Sequence, residues 1–274
     1  MTMGAVDVIR QSFEMIKENP IIIVPYIALI ILIGIIGILL VVSLLPKILA
    51  TVSAIHVTSI SARSALHLIG SLVGGSIASI AAAVIIIWLI SILFTGAYIS
   101  LAKQIMGKKS ADLRSAFHES ASRYWSLLGA SIINFVLRGG AALVFFGLAI
   151  VSIPSSVPMA VLLILVGIIA EILLLVLVFE SYAVVMIEGK GALDAVRKSF
   201  SIGRSKFWSL LGIFVLLLAI ALIIGVLRLI PILGPVIAFL CDSVLAIMGM
   251  TIPAVFYYTM VSKKKSTQTR RRRR

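Results

Sequence analysis

The chain has 274 residues, of which 61% are hydrophobic and 12% charged, whereas soluble domains carry about 25% charged residues. A soluble fold of this length must turn roughly half its residues to water, so the composition excludes one and requires a membrane. The charge that remains is lopsided, with 24 Lys and Arg against 10 Asp and Glu, a net of +14.

A spanning helix needs about 20 apolar residues. The first such run extends from about Ile21 to Leu45. Fairly polar residues precede it, and it is longer than the apolar core of a signal peptide, so it reads as a retained anchor. Residues 46–75 follow, with Lys47 and Arg63. They are apolar enough either to form an outer interfacial helix or to extend the flanking spans. Gly70 and Gly74 form a small-residue face suited to close helix packing. The second run covers about Ile77 to Ala102, the third Trp125 to Ile153, and the fourth Pro158 to Ile187. The fifth covers Trp208 to Ile230 and the sixth Pro235 to Val261. The uncharged, proline-bearing links 152–158 and 231–235 predict tight hairpins between runs three and four and between five and six.

The longer links are basic. Residues 103–124 hold Lys103, Lys108, Lys109, Arg114 and Arg123, and residues 188–207 hold Lys190, Arg197, Lys198, Arg204 and Lys206. The tail 263–274 adds eight more basic residues. Because cytoplasmic loops carry the excess of Lys and Arg, both links, the tail and, by parity, the N-terminus fall on the cytoplasmic side of a multi-pass cell-membrane protein.

An internal repeat underlies these links. Trp125-Ser126-Leu127-Leu128-Gly129 recurs unchanged as Trp208-Ser209-Leu210-Leu211-Gly212. Upstream at the same offset, Arg114 matches Arg197, Phe117 matches Phe200, Arg123 matches Lys206 and Tyr124 matches Phe207. A partial third copy lies at the N-terminus, where Val6 to Phe13 mirrors Leu193 to Phe200 and brings in Arg10 and Phe13. The apolar positions (Val6, Ile9, Phe13, Ile16; Leu113, Phe117, Tyr124; Leu193, Val196, Phe200, Phe207) recur at helical spacing with basic residues mostly off that stripe. That pattern predicts helices lying among the headgroups, apolar side down, with Lys and Arg meeting anionic lipid. Tyr124-Trp125 and Phe207-Trp208 fall where an aromatic belt belongs. The fold expected is all-α and integral: six spans as three hairpins, each preceded by an amphipathic interfacial helix. The units cover about residues 1–102, 103–187 and 188–262, and a disordered basic tail follows.

Ionisable groups within spans are costly and mark candidate sites. Asn134 and Arg138 share one face of the third span, and folding about Pro154 and Ser155 puts Arg138 opposite Glu171. The pair reads either as a clamp on hairpin register or as a substrate or proton site. Arg228 can reach the outer headgroups or pair with Asp242 across the last hairpin. Glu180 has no partner in register. It must be protonated, hydrated from the cytoplasm, or bound to a cation.

Residues 180–212, in particular Glu180, Tyr182, Glu188, Gly189, Ala195, Ser199, Phe207 and Trp208, resemble the membrane domain of glycerophosphoryl diester phosphodiesterases and related stand-alone six-helix proteins. The likeness is weaker over residues 103–140 and at the N-terminus. It implies a membrane domain whose soluble catalytic barrel is absent, so no catalytic residue carries over. The residues themselves agree. The single Cys241 allows no disulfide or thiolate metal site. His56, His67 and His118 have no metal-ligand spacing, and no phosphate-cradling loop occurs. The expectation is a non-enzymatic protein without cofactor: a scaffold, lipid-interacting or partner-binding module reading anionic headgroups at the cytoplasmic face. A small-solute or lipid transporter using Arg138, Glu171 and Glu180 is the alternative. The tail lacks the interleaved aromatics of a nucleic-acid binder, so membrane binding is preferred there.

Overall fold

A computed structural model describes residues 4–57, 62–107, 110–231 and 233–262. The expectations for the tail, 263–274, lie outside the described residues. Every regular element described is helical: α1 (Ala5–Glu18), α2 (Ile23–Val57), α3 (Ala62–Met106), α4 (Leu113–Ser122), α5 (Tyr124–Ser152), α6 (Val157–Val178), α7 (Ser181–Glu188), α8 (Ala192–Ser205), α9 (Phe207–Leu227) and α10 (Leu233–Phe256). A short 3-10 turn, Pro20–Ile22, precedes α2, and a π-helical turn, Tyr257–Ser262, continues α10. Six stretches are long and apolar enough to cross a membrane: Pro20–Ala50, Gly74–Met106, Tyr124–Ser152, Val157–Glu188, Phe207–Leu227 and Leu233–Thr259. Helices suit such runs because in lipid every backbone group must find its partner within the segment.

The chain divides into two compact bodies, residues 25–91 and the remainder. The first holds most of α2 and the first part of α3. Residues 46–57 continue α2 and residues 62–75 belong to α3, so this stretch extends the flanking helices. At 1.5 Å per residue the two helices are about 50 and about 70 Å long, well beyond a 30 Å hydrocarbon core. Pro46 sits within α2. The small-residue face expected at Gly70 and Gly74 packs against nothing described, since a Cβ at either would meet no atom within 4 Å.

In the second body, α5 and α6 fold back on each other through Ser152–Ser156. The turn is closed by the Ser156 amide on the Ser152 carbonyl at 2.8 Å, and the Ser156 side chain then caps α6 by accepting from the Met159 amide. Gly167 admits Phe145, whose Cβ would lie 2.9 Å from a Cβ there. The fourth span differs from expectation: it breaks at Phe179–Glu180 into α6 and α7. One hydroxyl mends the break. Ser199 accepts from the Glu180 amide at 3.1 Å and donates to the Leu177 carbonyl at 2.8 Å, satisfying groups the helix has released. Continuous buried stretches lie towards the C-terminal ends of α3, α7 and α10: Ala97–Ala102, Ala183–Met186 and Ile252–Tyr257 are all buried.

Each short helix seats on a neighbouring span or span pair. Helix α4 lies on the end of α3, where the Ser120 hydroxyl donates to the Leu93 carbonyl at 2.6 Å and Phe94 meets Phe117 edge-on at 5.2 Å. Helix α8 packs on α5, α6 and α7, and α1 packs on α9 and α10. The duplicated pentapeptide takes the same environment twice. Trp125 and Trp208 are each 80% exposed, and Leu127 and Leu210 are each fully buried. Its closing glycine lets a helix approach: a Cβ on Gly129 would lie 2.8 Å from the Cβ of Ala192, and one on Gly212 would lie 3.2 Å from that of Ala5.

Candidate functional site

A helix turns about 100° per residue, so the positions of α8 sort into three faces. Ala195, Val196, Ser199, Ile202 and Gly203 are buried against the protein. The small ones allow close seating; a Cβ at Gly203 would come 2.8 Å from the Leu177 backbone. Leu193, exposed, and Phe200, half-buried, stand beside that face, and Arg197, Ser201 and Arg204, spaced i, i+4, i+7, lie beyond them. Helix α1 repeats the scheme: Val8, Ser12, Met15 and Ile16 are buried, while Val6 and Phe13 are 64% and 50% exposed. The apolar stripe expected from the sequence is only partly covered by protein. Ile16 and Val196 turn into the protein, whereas Val6, Phe13 and Leu193 turn outward.

Apolar residues of these two helices line two grooves. One, of about 780 Å³, lies between α5 and α8 and is floored by Ile133 and Leu137, with Leu193, Val196, Arg197 and Phe200 along its side and Arg204 at its edge. The other, of about 650 Å³, lies between α1 and the α9–α10 pair, with Val6, Ile9, Arg10 and Phe13 along its side. These are the same four helix positions in both, 187 residues apart in the chain. The grooves differ in charge. Arg10 is paired with Glu14 at 2.8 Å. Ser201 holds the place of Glu14 in α8, and neither Arg197 nor Arg204 forms an ion pair among the described residues.

Two polar networks tie the helix ends together, and neither was foreseen from sequence. Glu119 of α4 accepts from Lys103 and from Ser100, both at 2.5 Å, and lies 3.7 Å from Arg123. Partial burial pushes this carboxyl up, but the bonds from Lys103 and Ser100 and the charges of Lys103 and Arg123 outweigh it and hold it below the usual carboxylate range. Arg123 also donates to the carbonyls of Val185 at 2.7 Å and Met186 at 3.0 Å, at the negative end of α7. Helix α7 closes on Gly189, whose φ of 68° is the left-handed conformation that glycine takes without strain. In the second network Glu188 accepts from Lys198 and from the Tyr257 hydroxyl, with Lys190 at 3.7 Å. The available signal was that Glu119 and Glu188 are acids within strongly basic links.

The residues singled out within the spans divide into three groups. Arg138 meets Glu171 at 3.2 Å, and Arg228 pairs with Asp242 across the α9–α10 turn. Asn134 is not part of the Arg138 pair; its amide donates to Ser181 at 2.8 Å and so ties α5 to α7. Glu180 is fully buried, and neither carboxyl oxygen has a hydrogen-bond partner. No part of the residue reaches the surface. Among the interfacial residues, Trp125, Trp208, Arg10, Phe13, Arg114 and Arg197 are exposed, and Phe117, Tyr124, Phe200 and Phe207 are half-buried. Tyr124 and Phe207 stack edge-on against the following tryptophans, at 5.7 and 5.6 Å. No group of three His, Cys, Asp or Glu able to hold a metal occurs among the described residues.

A family model described as a domain of unknown function, DUF7847, matches residues 3–263. No curated protein matches the chain, and no solved structure does.

Proposed function

The chain belongs to the DUF7847 family, and from that premise we propose that it is a non-enzymatic, lipid-interacting module of the cell membrane, built from three copies of one unit with both termini cytoplasmic. One observation carries the reading. Matched positions of two different short helices, Val6 and Phe13 in α1 and Leu193 and Phe200 in α8, leave apolar side chains wholly or partly uncovered along grooves that continue onto the spans. Uncovered apolar surface of this kind is stable when lipid covers it.

Span length supports the level assigned to these helices. From Ile133, in the first groove, to Ser152, at the turn, is about 20 residues or about 30 Å of helix, which matches the hydrocarbon thickness. Helix α8 then lies at the headgroups, and the basic links put that level on the cytoplasmic side. The threefold reading draws on the matched environments of the two pentapeptides and on the order of packing. Helix α4 seats on the end of α3, α8 on the second span pair and α1 on the third, so the helix of each unit packs on a span of another unit. The likeness of residues 180–212 to the phosphodiesterase membrane domain fits a membrane role without chemistry. A transporter is the second reading, and the partnerless carboxyl of Glu180 favours it. Against it, Arg138 and Glu171 neutralise each other, and neither groove is lined by any of the three.

Tryptophan quenching in bilayers tests the proposal. In a Trp88→Phe background, Trp125 and Trp208 should be quenched by lipids brominated near the headgroup and shielded from aqueous acrylamide. Strong acrylamide quenching with no effect of brominated lipid would refute the interfacial reading.

A further inference from the structure

Resting on the lipid-facing reading above, we propose that the groove between α5 and α8 is a binding site for a single anionic phospholipid. Its phosphate meets Arg197 and Arg204, and one acyl chain follows Ile133 and Leu137. The groove's two ends differ in chemistry as that ligand does. The floor and near side are hydrocarbon, from Ile133, Leu137, Leu193, Val196 and Phe200. The far side is Arg197, Ser201 and Arg204, two cations about two turns apart with a hydroxyl between them. On a chain with spanning helices, an open groove of this composition faces lipid, and two arginines at its edge select headgroups that carry net negative charge.

The second groove provides an internal comparison. It has the same apolar side and an arginine at the corresponding position, but Glu14 neutralises that arginine at 2.8 Å. In α8 a serine stands there instead, and the nearest acid along the helix, Asp194, makes no ion pair with Arg197 within 4 Å. The other acid close in sequence, Glu188, is taken up by Lys198, Lys190 and Tyr257. Of the two grooves, the α5–α8 groove is thus the one whose arginines are uncompensated among the described residues. The inference is of one selective site there and a non-selective lipid contact at α1.

The test uses the full chain purified in a neutral detergent and titrated with phosphatidylglycerol or phosphatidylcholine of identical acyl chains, with bound lipid counted by native mass spectrometry. The protein should retain one phosphatidylglycerol in preference to phosphatidylcholine. The double variant Arg197→Gln, Arg204→Gln should lose about tenfold or more in affinity for phosphatidylglycerol, with phosphatidylcholine unaffected. Both residues are exposed, so the variant should fold, and circular dichroism verifies that it does. Arg10→Gln should leave the preference unchanged. Equal retention of the two lipids, or a double variant that still prefers phosphatidylglycerol, overturns the selective site while leaving the lipid-interacting reading intact. Displacement of the lipid by glycerol phosphate alone would also overturn it, because the acyl chain would then contribute nothing. The tryptophan experiment reports on the broader reading independently.

Discussion

Substituting Gly129 by Ala tests whether the repeated pentapeptide exists to seat the neighbouring short helix. The added Cβ would lie 2.8 Å from the Cβ of Ala192, whereas unstrained carbons sit about 3.5–4.0 Å apart. The overlap, about 1 Å, is with the rigid start of α8 and not with a flexible tip, so the helix itself must move. Overpacking of this sort costs about 1–3 kcal/mol. Against it stands a gain of about 1 kcal/mol for replacing glycine by alanine inside a helix. The net expectation is destabilisation of about 1 kcal/mol. Gly140 lies in the same helix, and a Cβ there would meet nothing within 4 Å. Gly140→Ala should therefore keep the propensity gain, leaving the two variants about 2 kcal/mol apart. Gly212→Ala, with a 3.2 Å approach to Ala5, should fall between them. Thermal unfolding of each variant in one detergent gives the order. Gly129→Ala unfolding at or above the temperature of Gly140→Ala would refute the seating role.

The remaining expectations rest on the polar groups. The Glu119 carboxyl is held below its ordinary range in the folded protein, so the unfolded chain takes up its proton first and stability drops as pH falls below about 4. Melting temperature followed against pH should show this in wild type, and Glu119→Gln should remove that contribution. Replacing Arg138 or Glu171 singly by Leu strands a charge, and each should cost about 2 kcal/mol or more, while the double replacement should cost less than either; chemical denaturation of the four proteins completes the cycle, and additive costs would contradict the pairing. Glu180→Leu should leave stability unchanged or raise it by about 1–3 kcal/mol, since a buried carboxyl without partners is a liability. A loss of stability on thermal unfolding would mean that Glu180 has a partner.

The six spans and both hairpin turns after the first were legible from composition because lipid imposes long apolar runs, and prolines end them. The pair Arg138–Glu171 was legible for a related reason: counting from a tight turn fixes which residues face each other; for Arg228 the sequence left headgroup contact or Asp242 open, and the structure shows the pair with Asp242. Other features depend on shape. The break at Phe179–Glu180 has no proline or glycine to announce it and survives because Ser199, from a different helix, satisfies the freed amide and carbonyl. The full seating faces of α1 and α8 depend on shape as well as hydrophobicity, since Ser12, Ala195 and Gly203 are buried beside Ile16 and Val196, while Phe13 and Leu193 stay outside. The networks around Glu119 and Glu188 join residues far apart in the chain, and no local pattern specifies them.

The most direct test of the account is the depth of the short helices in the bilayer. In a Cys241→Ser background, nitroxide labels at position 13 and at position 200 report collision with oxygen, which concentrates in lipid, and with a water-soluble nickel chelate. If α1 and α8 lie among the headgroups with their apolar stripes inward, both labels should favour oxygen and sit just below the phosphates. Labels at both positions that collide freely with the nickel chelate would contradict the lipid-interacting function.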